Sequence, residues 1–132
     1  MPEETVDPVA LAEIEALVLD WLTVPDVAEQ MGTDVMKVRR MLSEGDLASV
    51  RVDGVLKVPA LFVVPGEGGG PATALHDLKG TLTLLGDAHY TTAEAVRWLW
   101  TPDETLREGR PIDTLRAGRK TEIRRRAQAL GF

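Results

Sequence analysis

The sequence predicts a mainly α-helical protein with one short β-hairpin, and three features of its 132 residues support this class. Apolar residues recur at helical spacing along most of the chain. Residues 50–58 differ, because two runs rich in β-branched residues flank an Asp-Gly dipeptide there. Residues 65–71, PGEGGGP, have the composition of a flexible, exposed linker. We therefore expect a tail at 1–7, a first domain at 8–64, a linker at 65–71 and a helical domain at 72–132.

The first helix is predicted to begin at Asp7 and Pro8, an N-cap residue followed by a proline that fits the first helical turn. Its apolar stripe continues at helical spacing through Leu11, Ile14, Val18 and Trp21. Such a stripe packs on the core of the same chain or pairs with a second copy, because its spacing is also that of a coiled coil. It lasts about two heptads, fewer than the roughly three that a coiled coil needs, so packing on the core is favoured.

Two short helices follow, separated by a glycine turn. Thr23 and Asp26 form a near capping box for the first, and Gly32 ends it in the left-handed conformation that glycine adopts readily. Asp34 is the expected N-cap of the second helix, and residues 44–46 stop it. Apolar and basic residues occupy different stripes of this second helix, which predicts one buried face and one exposed basic face.

The hairpin turns at Asp53-Gly54, a dipeptide that favours a type I′ turn, and Pro59 ends its pairing. Helix, turn, helix and hairpin in this order predict a winged helix-turn-helix, whose second helix enters a DNA groove while the two-stranded wing lies beside it. Arginine can fork onto guanine, and lysine can neutralise a phosphate. The predicted DNA-binding residues are Lys37, Arg39, Arg40, Ser43, Arg51 and Lys57. The competing interpretation is a solvated basic face without a ligand.

The charge distribution supports a local basic surface in an acidic chain. The formal net charge is −6. Residues 1–34 contain nine acids and no base, whereas residues 35–58 contain five bases and three acids, a local charge of +2. A second basic run, residues 116–126, contains six bases and one acid. We expect this run to be a solvated face. The alternatives are an extension of the DNA footprint, a surface for an acidic partner or electrostatic complementarity to a helix C-terminus. Because affinity for DNA depends on the local footprint, we expect modest binding from the first domain alone.

The second half is predicted to be helical throughout. One helix carries Leu75 and ends near Gly86, and a capping box at residues 91–94 opens another, which residues 101–102 end. A short helix spans 110–115, and the last helix spans 121–130. Trp98 and Trp100 are two residues apart, so they cannot share a helix face. One is expected in the core, and the other would be an anchor for a protein partner.

Composition gives no support for an enzyme. The chain has no cysteine, and His76 and His89 are its only histidines, so neither a nucleophile motif nor a metal site is predicted. No catalytic residue and no cofactor is expected. The N-terminus lacks the apolar run of a signal peptide, and no apolar stretch approaches the roughly 20 residues that cross a bilayer. We therefore expect a cytoplasmic protein without a membrane partner.

The segment from Thr23 to Phe62 resembles the winged helix-turn-helix of excisionase-like and MerR-type DNA-binding domains. The matching positions are Val24-Pro25-Asp26-Val27-Ala28, Gly32, Val38-Arg39-Arg40, Glu44-Gly45, Leu47, Val50-Arg51-Val52 and Val58-Pro59. A second resemblance is carried by C-terminal positions: Gly86-Asp87, Tyr90, Arg97-Trp98-Leu99, Thr101-Pro102-Asp103, Leu106, Arg110-Pro111-Ile112-Asp113, Leu115 and Arg125-Arg126-Ala127-Gln128-Ala129. Through them, almost everything after Leu22 resembles an actinobacterial family of small DNA-binding regulators, known from mycobacteria and linked to Ser/Thr-kinase signalling. That resemblance implies a helical C-terminal domain and suggests a Ser/Thr protein kinase as a partner. Thr5, in an acidic tail, is the candidate phosphorylation site.

The C-terminal half is also similar to the toxin-binding domain of some helix-turn-helix antitoxins, through Trp98-Leu99, Thr101-Pro102, Leu106, Pro111-Ile112-Asp113 and Leu115. Asp103 and Arg110 depart from that pattern. The sequence thus predicts a DNA-binding transcriptional regulator. The alternative is a protein-interaction module, an antitoxin-like or kinase-regulated adaptor that acts through its C-terminal helices. The oligomeric state is open: a monomer would contact one DNA half-site and a dimer would need a palindrome.

Overall fold

A computed structural model describes residues 7–131 of the chain. Its helices are α1 (Pro8–Val18), α2 (Val24–Met31), α3 (Val35–Glu44), α4 (Leu78–Asp87), α5 (Thr92–Trp100), α6 (Pro111–Arg116) and α7 (Lys120–Ala129). Its strands are β1 (Trp21–Thr23), β2 (Val50–Val52), β3 (Val55–Pro59), β4 (Val63–Val64) and β5 (Thr73–Ala74). Of the described residues, 20–75 form one compact unit, and 7–19 with 76–131 form the other.

The first unit, residues 20–75, is a winged helix-turn-helix whose helix ends are set by local sequence. Thr23 accepts the backbone N–H of Asp26 at 3.2 Å, and the Asp26 carboxylate accepts the N–H of Thr23, so the capping box of α2 is confirmed. Gly32 and Gly45 end α2 and α3 with φ of 64° and 84°. Asp34 caps α3 by accepting the N–H of Lys37 at 2.8 Å.

The wing belongs to a three-stranded antiparallel sheet in the order β1-β3-β2. The predicted turn at Asp53-Gly54 is confirmed, because both residues have positive φ, 51° and 78°. The expectation that the first helix continues through Trp21 is wrong. The helix ends at Val18, and Trp21 pairs with Pro59 in the sheet. The helical spacing of Trp21 is coincidental, since long-range pairing with β3 determines its conformation.

Residues 65–71 connect β4 to β5 within the first unit, and they include a 3-10 turn at Glu67–Gly69. A Cβ atom on Gly66 would clash with the carbonyl oxygen of Pro71, so the two ends of this loop approach too closely for a residue with a side chain. After the loop, the N–H of Ala72 donates to the carbonyl oxygen of Gln30 at 2.9 Å. The predicted linker 65–71 therefore closes a hairpin within one unit. The chain passes from one compact unit to the other at residues 19–20 and 75–76 instead.

The second unit packs α1 with the four C-terminal helices. Its capping box at Thr91 and Glu94 is confirmed by hydrogen bonds of 2.9 and 3.1 Å. Leu75 lies three residues before α4 and outside any helix, which corrects the predicted start of that helix. The buried hydroxyls of Thr81 and Thr114 donate to backbone carbonyl oxygens one turn earlier, so neither is left unsatisfied.

Helix α1 contributes its apolar stripe to this second unit. Ile14 and Val18 are 2% and 5% exposed, and α1 packs against α5. Glu13 on α1 pairs with Arg97 on α5, with their oxygen and nitrogen 2.8 Å apart. The interpretation of the stripe as packing on the core of the same chain is therefore the one that the structure matches. The chain folds back on itself through residues that are 84 positions apart.

Candidate nucleic-acid interface

Helix α3 has two distinct faces, as its sequence predicts. Val38 is fully buried, and Val35, Met41 and Leu42 are partly buried beside it. The opposite face is exposed to solvent and carries Met36, Lys37, Arg39, Arg40 and Ser43. One face of α3 therefore packs on the protein core, and the opposite face is accessible to a ligand.

The three basic residues of α3 are exposed, and none of them forms an ion pair with any residue that the structure describes: Lys37, Arg39 and Arg40. Their charges are therefore not neutralised within the folded unit. Acidic groups lie at both ends of the helix, because Asp34 caps its N-terminus and Glu44 is its last residue. The positive charge is thus concentrated on the middle turns of the exposed face.

Ser43 has a more restricted chemistry than its position suggests. Its hydroxyl donates to the carbonyl oxygen of Arg40 at 2.9 Å. With the proton engaged in the helix, the oxygen can accept a hydrogen bond but has none to donate. In this rotamer Ser43 suits a donor on a ligand, such as the amino group of a base, and not a phosphate oxygen.

Arg51 lies on β2 and is braced against the tip of the wing. Its Nη1 atom donates to the carbonyl oxygen of Gly54 at 3.0 Å. The side chain is exposed, and the carbonyl oxygen of Gly54 accepts one of the five N–H groups of the guanidinium. The wing therefore presents a positively charged group whose position is set by the turn.

Lys57, the second predicted wing residue, lies on the opposite face of the sheet from Arg51. Arg51 pairs with Leu56, whereas Lys57 pairs with Val50 on one side and Thr23 on the other. Paired residues share a face and consecutive residues alternate, so Arg51 and Lys57 project to different sides. Lys57 is also half-buried on the central strand. The structure does not bring these two cations together on one surface.

The second basic run, residues 116–126, is largely neutralised by carboxylates of its own unit. Asp77 lies 3.8 Å from the Lys120 ammonium and 3.6 Å from the Arg124 guanidinium. Arg119 pairs with Glu108 at 2.9 Å. Arg126 bridges Asp103 and Glu122 at 3.1 and 3.3 Å. Most of this run therefore forms ion pairs within the helical unit. It does not present a continuous positive surface to a polyanion.

Two of these carboxylates have altered titration. Burial raises the pKa of Asp77, but the hydrogen bond from His76 and the nearby positive charges outweigh it, so the pKa lies below its ordinary value. Hydrogen bonds from the hydroxyl and N–H of Thr105, with help from Arg126, lower the pKa of Asp103. Both groups stay ionised at neutral pH and hold their basic partners. Neither shift has the pattern of a catalytic acid.

The tryptophans proposed as anchors for a protein partner differ in accessibility. Trp100 is 1% exposed and belongs to the core, which corrects its assignment as a surface contact. Trp98 is half-buried. The sequence predicts that the two cannot share a face, but it does not indicate which one is inside. Thr5, the candidate phosphorylation site, lies outside the described residues.

Met36 lies on the exposed basic face of α3, although the sequence pattern predicts separate apolar and basic stripes on this helix. Its side chain is 77% exposed, the highest value among the large apolar residues that the structure describes. The sequence feature that indicates a possible role for Met36 is its position as an apolar residue within a basic stripe.

Residues 7–131 contain no group of three or more His, Cys, Asp and Glu side chains arranged to hold a metal ion. None of the helices in this part of the chain combines the length and apolarity that crossing a bilayer requires.

Comparison with known proteins identifies both halves of the chain. The family model for the DNA-binding protein Rv2175c, wHTH domain, matches residues 12–63, and that for the Rv2175c C-terminal domain of unknown function matches residues 75–131. The DNA-binding protein Rv2175c of Mycobacterium tuberculosis (strain ATCC 25618 / H37Rv) is 38% identical over 119 residues, which cover 82% of this chain and 78% of that protein. The NMR structure of Rv2175c aligns with a TM-score of 0.74 at 34% identity and covers 100% of this chain and 90% of that one. With its winged helix-turn-helix and its C-terminal helical domain both matched, the chain belongs to the Rv2175c family.

Proposed function

We propose that this protein binds duplex DNA through α3 and the wing and acts as a transcriptional regulator. The observation that carries the proposal is the exposed face of α3, where Lys37, Arg39 and Arg40 have no ion-pair partner among the described residues. A relative of this family is named a DNA-binding protein, and its winged domain is matched here from residue 12 to residue 63. Both lines of support include α3 and the wing.

In the proposed complex, α3 lies in the major groove with its buried stripe turned away from the DNA. Arg39 and Arg40 reach the edges of bases or the flanking phosphates, and Lys37 neutralises a phosphate. Arg51 contacts the backbone beside the groove, from the tip of the wing. The helical unit has most of its basic residues paired internally, so it adds little to the electrostatic attraction.

The number of cations on this surface sets the expected salt dependence. If the three cations of α3 and Arg51 each neutralise one phosphate, the slope of log affinity against log salt is about −3.6, from roughly −0.9 per contact. Affinity would then fall on the order of a hundredfold between about 50 and 200 mM salt. The acidic net charge of −6 lowers the affinity for non-specific DNA further.

The test is fluorescence anisotropy with labelled genomic fragments over a salt series, on the full chain and on two matched double variants. Arg39→Ala/Arg40→Ala removes two cations from α3. Arg107→Ala/Arg125→Ala removes two exposed arginines of the helical unit that have no ion-pair partner among the described residues. The first variant should bind at least about tenfold more weakly and reduce the salt slope by about 2. The second should bind like the wild type.

Equal losses in the two double variants would show that net charge, and not the surface of α3, determines binding. Absence of any binding at low salt would overturn the proposal. Regulation is tested separately, by measuring transcript levels after replacing the gene with the Arg39→Ala/Arg40→Ala variant. Unchanged transcripts despite lost binding would leave a DNA-binding protein without a regulatory role.

A further inference from the structure

Met36 is an apolar side chain in a position where solvent contact is unfavourable. It is 77% exposed on α3, and burying it would remove apolar surface from water. It lies on the exposed face, in the first turn of α3. Arg39, Arg40 and Ser43 follow it at i+3, i+4 and i+7, so they lie on the same face of the helix, toward its C-terminus. An isolated exposed apolar residue is ordinary. Met36, however, shares its face with Arg39 and Arg40, so a polyanion that binds these two cations would also cover Met36.

The chemistry of the DNA major groove offers one apolar group. Bases display hydrogen-bond donors and acceptors along this groove, and thymine alone adds a C5-methyl group. The methionine side chain has no N–H or O–H to donate, and its thioether is a weak acceptor. Its flexible, polarisable chain adapts well to an apolar surface. Met36 is therefore matched to thymine, while its basic neighbours are matched to phosphate and guanine.

We infer that Met36 contacts the C5-methyl group of a thymine in the major groove and gives this protein a preference for thymine at one position of its site. The inference rests on the proposed DNA binding and adds the base class that this helix recognises. A second copy of the chain is a poorer occupant of the surface. Two copies joined through Met36 would bring together the like charges of Arg39 and Arg40 on both helices.

The experiment isolates a single methyl group. The probe is the tightest-binding duplex selected by the wild-type protein from a pool with a randomised core. Each thymine in it is then replaced in turn by deoxyuridine, which lacks only the C5-methyl group. Wild-type binding should weaken about fourfold at one position, the value of one buried carbon group. Met36→Ala should lose a similar amount on the thymine duplex and nothing further on the deoxyuridine duplex.

Two variants make the result specific to this side chain. Met36→Leu keeps an apolar group and should retain sensitivity to the methyl group. Val9→Ala changes a residue that is 68% exposed on α1, in the other unit, and should bind both duplexes like the wild type. Because Met36 is exposed, Met36→Ala should fold, and its thermal midpoint should match that of the wild type.

The outcomes separate this inference from the proposed function. An equal deoxyuridine penalty in the wild type and Met36→Ala would overturn the contact while leaving DNA binding intact. The absence of a penalty at every thymine, or a selected duplex without thymine, would do the same. If no duplex in the pool binds, both proposals fail.

Discussion

The side chain of Arg51 donates a 3.0 Å hydrogen bond to the carbonyl oxygen of Gly54, across the turn of the wing. This bond joins the strand that enters the turn to the turn itself. It also holds the guanidinium at the tip, whereas Lys57 projects from the other face of the sheet. The two cations of the wing can therefore be told apart by experiment.

Replacing the two wing cations one at a time should give different results. Arg51→Ala is expected to weaken DNA binding several-fold and to reduce the salt slope by about 1, because one phosphate contact is lost. Lys57→Ala should leave affinity within about twofold. Anisotropy titrations at several salt concentrations measure both. A larger loss for Lys57→Ala would mean that the opposite face of the wing meets the DNA.

Gly66→Ala should destabilise the first unit. A Cβ atom there would clash with the carbonyl oxygen of Pro71, so the backbone must move, and we expect a loss of about 2 kcal/mol or more in the free energy of unfolding. Gly68→Asn is the matched control. Gly68 has φ of 61°, a Cβ atom there would meet no other atom within 4 Å, and asparagine tolerates that conformation. Urea denaturation compares the midpoints; equal midpoints would show that the loop rearranges freely.

Leu19→Gly should stabilise the protein. Leu19 has φ of 66° and ψ of −54° at the end of α1, a conformation that is strained for a residue with a side chain. Its side chain is 76% exposed, so little packing is lost with it. Relief of strain exceeds the greater chain entropy of unfolded glycine, for a net gain of about 1 kcal/mol. Leu19→Ala keeps the Cβ atom and should show no such gain in the thermal midpoint.

Asp77→Asn should reduce stability at neutral pH and flatten its dependence on acid. The pKa of Asp77 is lowered in the folded state, so its contribution is present above the unfolded value of 3.8 and disappears as pH falls through the lower folded value. The loss is about 1 kcal/mol, since Lys120 and Arg124 are partly exposed and screened.

Asp87→Asn is the control for removal of a carboxylate. Asp87 is exposed and is the last residue of α4, so loss of its negative charge at the helix C-terminus should be neutral or slightly stabilising. Denaturation midpoints between pH 7 and pH 3 test both variants. If Asp77→Asn and the wild type lose stability in parallel on acidification, the carboxylate of Asp77 does not hold the basic run together.

Local chemistry made much of the fold predictable. Thr23 and Asp26 sit three residues apart, so a capping box is encoded in a single turn, and the same holds for Thr91 and Glu94. The turn at residues 53–54 is likewise set by the conformational freedom of its own two residues. The two faces of α3 follow from periodicity alone. These features depend on neighbours in sequence, which is why sequence reasoning found them.

Features that depend on distant partners were missed. Trp21 continues a helical stripe, but its pairing with Pro59 in the sheet outweighs that local tendency. The glycine-rich loop has the composition of a linker, yet the pairing of Val63 with Ala74 closes it into a hairpin. The basic run of α7 resembles a polyanion surface until Asp77, some 40 residues away, is placed beside it. No local signal gives the position of such partners.

Thr23 belongs both to strand β1 and to the N-terminal cap of helix α2, with no residue between the two elements. It is the last residue of β1, where it pairs with Lys57 in the sheet, and its hydroxyl caps α2. No loop residue separates β1 from α2, so a change in the angle between the sheet and α2 would disrupt the pairing or the cap at Thr23. Helix α2 and the sheet that contains the wing therefore keep a fixed relative geometry. A DNA duplex whose grooves do not match this geometry has to bend or twist to bind. The stiffness of the duplex then contributes to the binding free energy, even at base pairs that no side chain contacts.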